Sequence, residues 1–410
     1  MNDNKPSYAL KSNEAVLCRC WIRKDRLEGG STAMVSENNF NRRITVLFLI
    51  PSLCGGGAER VITTLLKHMD RARFNLVLGV VSMRGAVFAS EIPSDVELID
   101  LHCSRVRYAL PKIMHLVWTR RPDVAFSTLG HLNLALAMFR PLFPRNTRFM
   151  GRETTIVSIN IKNYSLTKAW ALSYRFFYAN LDHVVCQSQY MRDDLVGNYN
   201  IPKDKTCVIH NPVDVANITS KIKKLPSFPE ASAQLDGETI RFVAAGRLSH
   251  EKGFDILIEA ISLCRDYVIY VDVLGVGALE QELKQLAVKM GVDKQFNFLG
   301  FRENPYLHYA RAHAFVLSSR YEGFPNVVLE ALACGTPVIA TPAIGGVGEI
   351  LENVANCEIA DAVSASALAD AIKRWIKRRP GRIGESAVLP YSIAPIVRRY
   401  EGEISRVAAL

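Results

Sequence analysis

The 410-residue chain lacks any apolar run long enough to cross a bilayer. Its longest, ITVLFLI at Ile44–Ile50 and LNLALAMF at 132–139, fall short of the ~18 residues a spanning helix needs. No secretory signal is expected, because residues 1–41 are polar and mixed in charge rather than basic and then apolar. Its nine cysteines form no CxxC pair, and only Cys18 and Cys20 are close together. That argues against a disulfide framework or a zinc site, and fits reduced thiols in a cytosolic protein. Acids are scarce in one stretch: residues 101–178 hold twelve Lys and Arg against Asp123 and Glu153. That local excess equals the +10 net charge of the whole chain.

Aromatics such as Tyr108, Trp118, Phe139, Trp170, Phe176 and Phe177 are interleaved with those cations. A basic, aromatic face suits an anionic membrane surface or a phosphorylated lipid, while a plain solvated Arg-rich face remains the alternative. No nucleic-acid motif accompanies the charge, so no nucleic-acid partner is expected.

Residues 1–41 show little periodicity and are expected to form a disordered leader. From Ile44 onward, short apolar runs alternate with helical spacing. Strands are predicted at Ile44–Ile50, 75–81, 96–101, 123–127, 183–188 and 207–211, with a strand-like RFM at 148–150. The pattern stops at Asn211-Pro212, and 214–239 reads as a polar connector with Pro226 and Pro229. It restarts with IRFVAAG at 240–246, then 268–275, FNFLG, AFVLSS and PVIAT. The fold class is therefore α/β: two Rossmann-like, doubly wound domains, 42–213 and 240–390, facing a central cleft. A final helix over 391–410 is expected to pack back towards the first domain.

Three constellations carry chemistry. CGGGAER at 54–60 sits between a strand and a helix, where Gly55, Gly56 and Gly57 permit a tight turn and free helix amides favour an anion. Arg60 stands where the dinucleotide fingerprint needs its third glycine, so that fingerprint is excluded. AAGRLSHEKGFD at 244–255 follows a strand; Gly246 precedes Arg247 and Lys252, a pair suited to stabilising a departing diphosphate. YEGFPNVVLEALACGTPVIAT at 321–341 places Glu322 in a loop and Glu330 about one turn into a helix. Paired carboxylates also suit glycoside hydrolysis, but that reading leaves the cations unexplained.

The order GGGAER, GRLSHEKGFD, EGFPNVVLE, CGTPV resembles the family 4 glycosyltransferases of the GT-B fold, over about residues 44–351 and the final helix. The EGFPN form is similar to members that extend polyprenyl-diphosphate-linked sugars in bacterial polysaccharide synthesis. The resemblance implies a nucleotide-sugar donor, UDP-linked in preference to GDP-linked, retention of anomeric configuration, no cofactor and no metal. The absence of an Asp-x-Asp pair agrees with the last. It implies that Arg247 and Lys252 bind the donor diphosphate, Glu330 the ribose, and Glu322 the transferred sugar. Gly323, Phe324, Pro325 and Asn326 would form the loop between them. His131, just past a first-domain strand, would face the same sugar. Arg152 and Glu153 are candidates for the acceptor side, with a structural ion pair as the alternative. The family's Gly-Asp-Gly-Pro becomes Gly275-Val276-Gly277-Ala278, keeping the glycines and losing the acid. The partners implied are a nucleotide sugar, a polyprenyl-diphosphate-linked glycan acceptor and the inner face of the cytoplasmic membrane. Rival readings are a sugar-nucleotide epimerase or hydrolase, and a catalytically silent partner subunit.

Overall fold

The computed structural model describes residues 42–223, 239–378 and 380–410. The leader expected over 1–41, and residues 224–238 of the connector, lie outside the described residues. The first sheet is built from β1 (Ile44–Ile50), β2 (Phe74–Val80), β3 (Glu97–Asp100), β4 (Val124–Thr128), β5 (Arg148–Arg152), β6 (His183–Cys186) and β7 (Thr206–Val208). All pairs are parallel, in the order β3-β2-β1-β4-β5-β6-β7. The second lobe contributes β8 (Ile240–Ala245), β9 (Ile269–Leu274), β10 (Phe296–Gly300), β11 (Ala314–Leu317), β12 (Tyr321–Glu322), β13 (Val338–Ala340), β14 (Ile344–Gly345) and β15 (Glu358–Ile359). Its main sheet runs β10-β9-β8-β11-β13-β15, again parallel, while β12 and β14 pair separately. Each lobe thus repeats the Rossmann order, with the chain reversing direction across the sheet beside its first strand.

Continuous apolar strands follow from burial on both faces. In β1, Leu47 and Leu49 point into one layer with Ile113 and Phe149, while Val46, Phe48 and Ile50 point into the other with Leu65 and Tyr400. Phe48 is fully buried and lies 5.2 Å, ring to ring, from Phe126. Its replacement by alanine would cost about 3–5 kcal/mol through lost transfer energy and an unfilled cavity. The second lobe divides the same way: Phe242 packs on Trp375, and Val243 on the opposite layer.

The connector is less irregular than its polarity predicts. Val215–Lys223 is a helix, held by Ile218 buried at its centre. The helix Ile393–Ala408 packs on the first lobe, where Tyr400 meets Phe126 edge-on and Glu401 accepts the Asp70 amide at 2.7 Å. The chain therefore crosses between lobes twice, and the crossings touch: the Val213 amide donates to the Tyr391 carbonyl at 2.8 Å. The seven described cysteines are free. Among the described residues no helix is long and apolar enough to cross a membrane.

Candidate active site

In open parallel sheets, ligands lie outside the carboxyl ends of the strands where the strand order reverses. In the second lobe that point lies between β8 and β11, and the loop after β8 carries Arg247 and Lys252. The loop is pinned from below. Arg320 donates to both oxygens of Asp255, at 2.8 and 2.6 Å, and to the His250 carbonyl at 2.8 Å. The guanidinium bonds hold the Asp255 carboxyl below its ordinary pKa. Lys252 Nζ then sits 2.7 and 2.9 Å from the two oxygens of Glu322, which also accepts from Ser319 Oγ at 2.6 Å. Glu322 belongs to the short strand β12 rather than the expected loop, and it is buried. Arg247 is exposed in the same loop.

Gly246, Gly275 and Gly277 lie where expected in sequence, but the last two do a different job. Gly275 has φ +136°, and a Cβ there would stand 1.9 Å from the Gly246 carbonyl oxygen. A Cβ on Gly277 would meet the Leu248 carbonyl at 2.2 Å. The turn after β9 therefore lies directly on the turn that carries Arg247. Backbone-on-backbone packing, not approach to a ligand, is what forbids a side chain at either position.

Glu330 lies in the helix Asn326–Ala333, buried, and forms an ion pair with Arg60 of the first lobe. Burial raises the Glu330 pKa and the Arg60 charge offsets only part of that rise. Burial works against the Arg60 charge most strongly, but Glu330 together with Tyr306, Tyr309 and Glu91 outweighs it and the guanidinium pKa is raised. Arg60 comes from the helix Gly57–His68, whose start closely faces the start of the Asn326–Ala333 helix: a Cβ on Gly57 would lie 2.9 Å from Asn326 Nδ2. Gly55, at φ +99°, and Gly56 are exposed on the same turn. Gly323 approaches the first lobe too, with Thr154 O 2.7 Å from the place of its Cβ.

Phe324 and Pro325 are buried, not open to a ligand. The Phe324 ring stacks on His210 at 4.8 Å, and His210 is 3.0 Å from Glu349. Asn211 is the node of this junction. Its amide nitrogen donates to Asn326 Oδ1 at 2.6 Å, Gln187 Oε1 at 3.1 Å and the Phe324 carbonyl at 3.4 Å, while its oxygen accepts from Arg152 at 2.6 Å.

In the first lobe, His131 is exposed in the first turn of the helix Gly130–Met138, directly after β4, and desolvation lowers its pKa. Leu129 precedes it in a strained conformation, φ +76°. Arg152 and Glu153, expected on the acceptor side, are instead buried, 0% and 1% exposed. They also do not pair with each other. Arg152 donates to Tyr400 Oη at 3.0 Å and to Asn211. Glu153 accepts from Tyr178, its second oxygen has no partner, and burial pushes its pKa up to about 7. The β5 strand is buried on both faces, so residues at its end are drawn into the core.

No site role was expected for Arg60, Ser319 or Arg320, and Asn211 beside Pro212 was expected only as a hinge at the connector. Arg60 lies inside the CGGGAER motif, but its partner is 270 residues away. Among the described residues, His183, Cys207 and Glu403 offer donor atoms within 4.8 Å of one another. Arg406 already places its guanidinium 3.0 and 3.2 Å from the His183 nitrogens, at the amino end of β6 and away from these loops.

Comparison with known proteins agrees with the two-lobed fold. A family model described as Glycosyltransferase Family 4 matches residues 55–217, and one described as Glycosyl transferases group 1 matches residues 228–387. The N-acetylgalactosamine-N,N'-diacetylbacillosaminyl-diphospho-undecaprenol 4-alpha-N-acetylgalactosaminyltransferase of Campylobacter jejuni is 29% identical over 73% of this chain and 81% of that one. The lipopolysaccharide core biosynthesis glycosyltransferase LpsE of Rhizobium meliloti is 37% identical over 25% of this chain and 30% of its own. Among solved structures, HepE from Anabaena in complex with UDP-glucose superposes with a TM-score of 0.70 at 21% identity, over 89% of this chain and all of that one. With two parallel Rossmann-type lobes and both halves of the sequence matched, the chain belongs to the family 4 glycosyltransferases and has their GT-B fold.

Proposed function

We propose that this glycosyltransferase moves a hexose or N-acetylhexosamine, with retention, from a nucleotide sugar to a growing polyprenyl-diphosphate-linked glycan in bacterial polysaccharide or glycoconjugate synthesis. A UDP-linked donor is favoured over a GDP-linked one. The observation that carries the reading is the grouping of Arg247, Lys252 and Glu322 at the carboxyl end of the second sheet, with Glu330 in the next helix. Arg247 and Lys252 would neutralise the departing diphosphate, the task a divalent cation performs elsewhere. The bond from the anomeric carbon to the diphosphate breaks as the acceptor oxygen bonds to the same face. The acceptor proton passes to a phosphate oxygen of the leaving group. Glu322, fixed by Lys252 and Ser319, would hold the transferred sugar, and His131 would hydrogen-bond it from the opposite lobe. Closure between the lobes would exclude water, which otherwise hydrolyses the donor.

The name of the Campylobacter relative, which acts on a diphospho-undecaprenol substrate, supports a lipid-linked acceptor. So does the first-lobe surface. The helix Thr167–Phe177 exposes Leu172, Phe176 and Phe177 (53%, 67% and 38%) beside Lys168 and Arg175, a composition suited to lying on the cytoplasmic membrane's inner face. Other aromatics of that stretch, Phe143, Phe149, Tyr174 and Tyr178, belong to the core instead.

The test is titration calorimetry against UDP- and GDP-sugars, followed by turnover with and without undecaprenyl-diphosphate-linked acceptors and assignment of the product anomer. Donor consumption at the same rate without acceptor would establish a hydrolase or epimerase and end this reading. Binding of neither nucleotide would do the same.

A further inference from the structure

We infer that Arg60 is a latch on the donor pocket: its guanidinium occupies the carboxylate of Glu330 that a nucleotide's ribose diol must take, so donor binding requires breaking a bond between the lobes. The inference deepens the proposed function and rests on its assignment of Glu330 to the ribose. Three observations carry it. The Arg60–Glu330 pair joins an exposed side chain of the first lobe to a buried carboxylate of the second, with side-chain exposures of 45% and 9%. The lobes are already close there, Gly57 standing against Asn326. Lys252, the cation expected for the diphosphate, is paired separately with Glu322, so the two halves of a nucleoside diphosphate would meet two different ion pairs.

A ribose hydroxyl and the Arg60 guanidinium donate to the same kind of lone pair, and Arg60 Nη1 already holds Glu330 Oε1, so a diol that needs both oxygens competes with it for that one. Without Arg60, Glu330 is left buried and unsatisfied until a ligand arrives. Removing the arginine therefore favours the bound state. The gain is confined to ligands that carry the diol, because a ligand held only by Arg247 and Lys252 never disturbs the latch.

Titration calorimetry on the full chain tests this with UDP, GDP, 2′-deoxy-UDP and inorganic pyrophosphate, on the unchanged protein and on Arg60→Ala. Arg60 is a surface residue, and a thermal melt verifies that the variant folds. The expected result is that Arg60→Ala binds whichever of UDP or GDP the unchanged protein binds about fivefold more tightly, equivalent to about 1 kcal/mol. Pyrophosphate and 2′-deoxy-UDP should be unchanged within twofold. Weaker binding of both the nucleotide and pyrophosphate would make Arg60 a phosphate ligand and overturn the latch. Equal nucleotide affinity in the two proteins would also overturn it, while leaving the donor assignment standing. Failure of the unchanged protein to bind UDP or GDP would remove the donor assignment, and the latch with it.

Discussion

At the carboxyl end of β5 in the first lobe, Arg152 and Glu153 are sealed among protein groups, whereas at the same end of the second sheet Lys252 is paired at the surface of a cleft and Arg247 is exposed. The sheets share one strand order, so topology does not account for the contrast. Its source is what each loop rests on. The loop after β8 stands on Arg320, Asp255 and the Gly275–Gly277 turn, which raise its cations towards the cleft. The end of β5 is instead covered by the helix Thr167–Phe177, by Tyr178 and by the helix Ile393–Ala408. One lobe leaves Arg247 accessible and Lys252 half-buried in its loop, and at the end of β5 the other uses its charges to brace a scaffold.

The sharpest way to break this contrast is to remove the paired cation of the second lobe. Lys252→Ala should lower kcat by about 10²–10³-fold, as loss of a transition-state charge partner does. Steady-state kinetics with the identified donor measure it. A loss below tenfold would place the negative charge of the leaving group elsewhere.

The buried side of the comparison predicts pH-dependent stability. With its pKa raised to about 7, Glu153 keeps its proton in the folded state when the unfolded chain has released it. The folded form then binds more protons, so stability falls as pH rises from about 4.5 to about 7, by up to about 3 kcal/mol. Glu153→Gln should flatten that decline. His183 has the opposite sign: its pKa is lowered to about 4, the unfolded chain takes up the proton first, and stability falls as pH drops from about 6.5 towards 4. Denaturant midpoints across pH 4–8 separate the two limbs.

Asn211 tests whether the two regions are independent, since it bonds Arg152 on one side and Asn326 on the other. Asn211→Ala should cost about 1–3 kcal/mol of stability, because Arg152 loses its acceptor in a fully buried place. Urea unfolding measures that cost. Unchanged donor affinity in the variant would show that the junction braces the fold without shaping the donor loop.

The smallest effect lies on the first lobe's outer surface. Exchanging Phe176 and Phe177 for serine should change stability by less than about 0.5 kcal/mol. Co-sedimentation with vesicles of anionic phospholipid at low salt should nevertheless fall several-fold. Full retention of vesicle binding, or none in the unchanged protein, would remove the membrane from the account.

Much of the architecture was readable from short apolar runs, because a strand covered on both faces must be apolar along its whole length. Helix Val215–Lys223 was not, since its polarity conceals a single buried Ile218. The placement of Arg247 and Lys252 in a loop after a strand, and of Glu330 in a helix, was readable because strand, loop and helix are local, whereas Lys252 meets Glu322 across 70 residues. Arg60 and Asn211 escaped because their partners lie 270 and 115 residues away. Arg152 and Glu153 adjoin in sequence, yet successive residues at a strand end face opposite sides, and each found a different buried partner.

The amino-acid sequence by itself determined two parallel α/β lobes and the loop that bears Arg247 and Lys252, because hydrophobic periodicity and the position of glycine and charge are local properties. Only the tertiary structure decided which charges meet. It set Lys252 on Glu322, carried Arg60 across to Glu330 and buried Glu153, because desolvation and distance act between residues that the chain order keeps far apart.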